Sequence, residues 1–227
     1  MYQIFFCQRE KLEKDRGQSM IELALLFPVL LILLSGLIEF GFILNQYLSL
    51  MDAARNAARF ASDGLYYETS DTNMDCATTT HFYWQTACLV NQELRQEAPA
   101  IKLNDNGTPD DMTDDFLDPA DGNDILISAF GFIQNVGIVS RYPDGSWYSY
   151  SEALDVPSDK VSRFTSDDIT TSMVSIDAPN TGYILVEIFY YYDHLMGLPW
   201  ITAVVEDPLL LHAYAFMPLP SAEPDVD

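Results

Sequence analysis

The sequence predicts an α+β protein: a long N-terminal α-helix, first transmembrane and then a stalk, packed on an antiparallel β-sheet domain. Three observations predict it. Residues 23–38 read LALLFPVLLILLSGLI without a charge. Helical periodicity then continues to residue 63 with small residues on one face. From residue 125 onward, apolar runs of strand length alternate with turn signals.

The apolar run extends to about Leu44, with Glu39 as its only charged residue. At about 1.5 Å per residue, 23–44 covers about 33 Å, enough for a bilayer core that takes about 20 residues. A secretory signal peptide has a shorter apolar core and a small-residue cleavage site after it; this run is longer and continues as helix. The preceding residues 1–17 carry Arg9, Lys11, Lys14 and Arg16 against Glu10, Glu13 and Asp15. The basic flank places the N-terminus in the cytoplasm and the C-terminal part across the membrane. Pro28 falls inside the run and predicts a kink.

Glu22 stands at the start of the apolar run, five residues after Gly17. Carboxylates at membrane depth are costly and take partners. Cleavage after Gly17 would free the α-amine of Gln18, with a pKa of about 8, and make Glu22 the fifth residue of the new chain. An ammonium and a carboxylate at that spacing pair between staggered, adjacent helices. Glycine, then glutamate at the fifth position after it, then an apolar helix resembles the type IV prepilins. More closely, GQSMIELALLFPVLLILLSGLIEFGF followed by DAARNAARFAS resembles the TadE-like family of the tight-adherence pilus system. The resemblance covers about residues 16–62. It implies processing by a prepilin peptidase at Gly17–Gln18, subunit assembly through Glu22, a pilin-like fold, and a minor pilin or pseudopilin role beside other pilin-like subunits.

Residues 18–64 are expected to form one helix, its upper half carrying Tyr47, Leu50, Ala54, Ala57 and Ala61 on one face. Gly64 is a stop signal. Beyond it, 65–217 form the extracytoplasmic domain. Cys76 and Cys88 are the only cysteines outside the leader, and an exported segment favours their pairing as a disulfide. A helix is expected at 85–98. The loop 101–124 holds eight aspartates from Asp105 to Asp124 without a Lys or Arg among them. Asp105, Asp110 and Asp111 around Gly107 resemble a calcium turn, but Lys102 stands where a first ligand belongs; a solvated loop is the other reading. Strand-like runs follow at 125–133, 137–142, 147–151, 183–193 and 209–217, giving a sheet of about four strands. In the fourth run Glu187 lies opposite an apolar face, so that side is expected to be partly covered. Residues 195–205, LMGLPWITAVV, are too short and too proline-broken for a second span and read as a buried connection. Residues 218–227, proline-rich and acidic, are expected to be a disordered tail.

Composition excludes some functions. A formal charge of −23 leaves nothing to neutralise phosphates, which excludes nucleic acid as a partner. His81, His194 and His212 lack metal-ligand spacing, and no nucleophile or phosphate-binding motif occurs. The expectation is a non-enzymatic, single-pass membrane protein without a cofactor other than calcium. It would be a TadE-like subunit, extracellular once assembled in a filament. The alternatives are a permanently anchored binding or adhesion module with an uncleaved signal anchor, and an anchored hydrolase.

Overall fold

The computed structural model describes residues 3–64, 71–97, 101–143 and 145–224, with side chains from residue 20 onward except that of Glu97. Helix α1 (Gln3–Ser62) is continuous through the charged N-terminal segment, the apolar run, Pro28 and the alanine repeat. At its end the amides of Asp63 and Gly64 bond Phe60 O at 3.2 Å and Ala61 O at 3.1 Å, a tightened last turn that satisfies two terminal carbonyls. The chain divides into two compact units, Met1–Ile43 with Asp193–Asp207, and Leu44–Tyr192 with Pro208–Asp227. The division falls within the helix, not at the expected 64/65 boundary. The cause is the small-residue face: Leu50, Ala53, Ala54, Ala57 and Ala58 are wholly buried in the second unit.

That second unit is built on one antiparallel sheet. It comprises β1 (Asp124–Ile133), β2 (Gly137–Tyr142), β3 (Tyr148–Ser149), β4 (Thr181–Tyr192) and β5 (Leu209–Pro218). The order is β2-β1-β4-β5, with β3 also pairing β1. Register is fixed by pairs such as Ile127 with Val186 and Val186 with Ala215. Ile125, Ile127, Ile184, Val186 and Ile188 share one face and are fully buried. Helix α2 (Phe82–Glu97) covers this face. Ile127 pairs with Tyr148, whose ring stacks on Tyr83 of α2 at 5.4 Å. Asn56 of α1 donates to Glu93 of α2 at 2.9 Å.

The opposite face is also covered, unlike the expectation drawn from Glu187. Helix α4 (Ser166–Ser175) lies there, following the short α3 (Tyr150–Ala153). Ile169 of α4 packs with Phe130 and Leu185, flanked by Phe164, Met173 and Phe216. Its start is capped by Thr165, whose Oγ1 accepts from the Asp168 amide at 3.2 Å, and Asp167 and Asp168 oppose the positive end of the helix dipole. The third strand is shorter than expected because Ser149 turns to cap α3, its Oγ accepting from the Glu152 amide at 3.2 Å. The tail is packed as far as it is described: β5 runs through Pro218, Leu219 is fully buried, and Pro220–Ala222 form a 3-10 turn. Residues 225–227 of the expected tail, like residues 1–2 of the leader, lie outside the described residues.

Cys76 and Cys88 form the expected disulfide, tying the loop before α2 to that helix across 12 residues. Replacing both by serine is predicted to cost about 3 kcal/mol by loosening the unfolded chain. Urea unfolding of the detergent-solubilised chain, with and without the bond, measures it. A second prediction concerns alkali. Burial pushes the Tyr150 phenol up to about 12, and raises that of Tyr148 too. Unfolded tyrosines ionise near 10. The unfolded state therefore loses its protons first: this stability is complete below about pH 10 and is lost as pH rises toward about 12. Tyr150→Phe should flatten the fall of unfolding free energy across that window.

Candidate functional site

The apolar part of α1 is long and apolar enough to cross a membrane. Most of its apolar side chains face outward: Leu23, Leu33 and Leu37 are 62%, 64% and 68% exposed. A helix that is apolar on every side and uncovered by its own chain matches a lipid surround rather than water. Gly17 and Gln18 lie within the helical backbone, and their side chains are outside those described. Glu22 is exposed one turn beyond Gln18, on the same helix face.

The other carboxylate of this stretch is held differently. Glu39 is 2% exposed. Its Oε1 lies 3.0 Å from His194 Nδ1 and accepts from the Leu195 amide at 3.0 Å. Its Oε2 accepts from the Met196 amide at 3.1 Å. The other ring nitrogen, Nε2, is 2.9 Å from Glu206 O. Both ring nitrogens thus sit within hydrogen-bonding distance of oxygen atoms, which fixes the orientation of the ring. One turn earlier on α1, Ser35 Oγ accepts from Trp200 Nε1 at 3.1 Å. Glu39 and Ser35 thus fasten Asp193–Asp207 to the helix within the first unit. This segment is not the buried connection expected: Leu195 is 63% and Val204 84% exposed. Its hydrophobicity is not spent on the sheet core.

In the second unit, buried polar groups serve packing. Glu187 Oε1 is 3.0 Å from His212 Nε2 and accepts from the Arg163 amide at 3.0 Å, while Oε2 accepts from Ser162 Oγ at 2.5 Å. Serine, histidine and glutamate meet here, but both partners turn to the carboxylate. The serine hydroxyl donates to the carboxylate and not to the imidazole, so the three do not form the serine–histidine–carboxylate relay order. Arg141 donates to Phe164 O at 2.8 Å and to Ser128 and Ser162 hydroxyls. Burial pushes its guanidinium down from the ordinary value, and the nearby Glu187 opposes that. Asp124 is fully buried and accepts from Ser149, Ser158 and the Ser151 amide, locking β1 to the loop after β3.

The acidic loop satisfies its carboxylates locally. Asp105 Oδ1 accepts from the Gly107 amide at 3.0 Å, and Asp111 Oδ1 from the Thr113 amide at 3.0 Å and hydroxyl at 2.6 Å. Those Thr113 bonds hold the Asp111 carboxyl below its usual range. Arg95 of α2 donates to the carbonyls of Thr113 and Asp115, pinning the loop to the domain. Asp105, Asp110 and Asp111 do not converge: among the described residues no group of three or more His, Cys, Asp or Glu is arranged to hold a metal ion.

Glu39→Ala is predicted to leave His194 and two amides without their acceptor, at a cost of about 3 kcal/mol to local docking. Hydrogen exchange at the Leu195 and Met196 amides should then accelerate on the order of 100-fold, while exchange in β1 and β4 stays unchanged.

Comparison with curated proteins and with solved structures gives no match. Residues 17–59 match the family model described as TadE-like protein. The matched span opens at Gly17 and holds both Glu22 and Glu39, and it ends in the alanine repeat. Over residues 17–59 the N-terminal helix is similar to TadE-like proteins.

Proposed function

We propose that the chain is a pilin-like membrane subunit of the tight-adherence type, made as a precursor and assembled through its N-terminal helix. The observation that carries this reading is the coincidence of the TadE-like match with a helix whose apolar surface its own chain leaves uncovered. The basic residues before the span keep the N-terminus cytoplasmic, and the disulfide suits a second unit on the oxidising side. A prepilin peptidase cuts after Gly17, and the new α-amine of Gln18 pairs with Glu22 of an adjoining subunit. In lipid such a pair neutralises both charges where attraction is least screened. The sheet domain is structural in this role, and its net negative charge limits random association outside the membrane.

The test is the intact mass of the chain recovered from membranes with and without a co-expressed prepilin peptidase. A peptidase-dependent chain beginning at Gln18 is expected, and Gly17→Glu should abolish the cut. A chain that keeps Met1 in both strains would instead indicate a permanent anchor. Glu22→Ala should leave processing intact and lower recovery of higher-order assemblies on the order of tenfold or more.

A further inference from the structure

The geometry points to a second membrane element: residues 195–205 dip into the lipid leaflet at the C-terminal end of the span, fastened to α1 by Glu39 and Ser35. The inference rests on α1 crossing a bilayer and is independent of cleavage and assembly.

Four observations carry it. The first is depth. Ser35 lies nine residues before the end of the apolar run at Leu44, which at about 1.5 Å per residue is about 13 Å inside it. Trp200 donates to Ser35, so its indole is held at that level. The second is composition. Residues 195–205 contain no charged side chain, while Asp193, Glu206 and Asp207 bracket them. The third is exposure. Leu195 and Val204 are largely exposed, Met196 and the Trp200 ring partly so, and together they extend the exposed apolar surface of α1 within the same unit. The fourth is the backbone. Lipid tolerates non-helical chain only where its polar groups find protein partners. The Leu195 and Met196 amides go to Glu39, and those of 201–205 close onto carbonyls of 198–201 around the single turn α5 (Pro199–Thr202). The occupant of the surface is therefore acyl chain. Glu39 supplies the carboxylate that lets the segment and His194 sit below the interface.

The test uses the full chain in phosphatidylcholine vesicles with brominated acyl chains. Subtracting the emission of Trp200→Phe from that of the wild type isolates Trp200 from Trp84 and Trp147. The Trp200 signal should lose on the order of half its intensity to brominated lipid and resist a water-soluble quencher. Quenching from water without quenching by lipid overturns the inference. Protection from both, which would place a neighbouring subunit on the surface, overturns it equally. Phe27→Trp in the Trp200→Phe background reports the span itself: quenching there without quenching of Trp200 removes this inference and leaves the spanning helix standing.

Discussion

A carboxylate on an apolar helix of membrane-spanning length takes a partner at its own depth; the apolar run of α1 holds Glu39, and Glu22 stands just before its start. At Glu39 the match comes from the same chain: an imidazole and two backbone amides, all within 3.1 Å. Local sequence does not provide these donors. They come from the connection between β4 and β5. Glu22, near the start of the stretch, is the carboxylate for which the proposed function assigns a donor from an adjoining subunit. One electrostatic requirement thus organises both the internal architecture of the first unit and its proposed assembly.

The second unit answers a different demand. Its sheet is buried on both faces, by α2 on one side and α4 on the other, and the alanines of α1 let the helix approach its own domain closely. The acidic loop contributes through Arg95 and local turns rather than through convergence on an ion.

Much of this is legible in the residues. The strands declare themselves by largely apolar runs such as ILISAFGFI and YILVEIFYYY, and the disulfide by the presence of two cysteines in one segment expected to be exported. Helix α4 escapes a periodicity reading because SDDITTSMVS is weakly amphipathic, yet Thr165 with Asp168 three residues later is a capping signal that points to it. The tail misleads because proline and acid suggest disorder, while buried Leu219 and Ala222 carry the apolar contacts that pack it. The partner of Glu39 is out of reach of the sequence: His194 lies 155 positions away, and only the fold brings them together. The expectation of burial at residues 195–205 fails because it equates hydrophobicity with burial in the protein core, whereas Leu195 and Val204 are exposed.

The most direct test is a zero-length carbodiimide cross-link in native membranes, mapped by mass spectrometry. The reagent joins only an amine and a carboxylate already in contact. The pairing of the two charges predicts a peptide in which the α-amine of Gln18 of one subunit is bonded to Glu22 of another. Membranes that yield mature chains beginning at Gln18, but no such peptide, would contradict it.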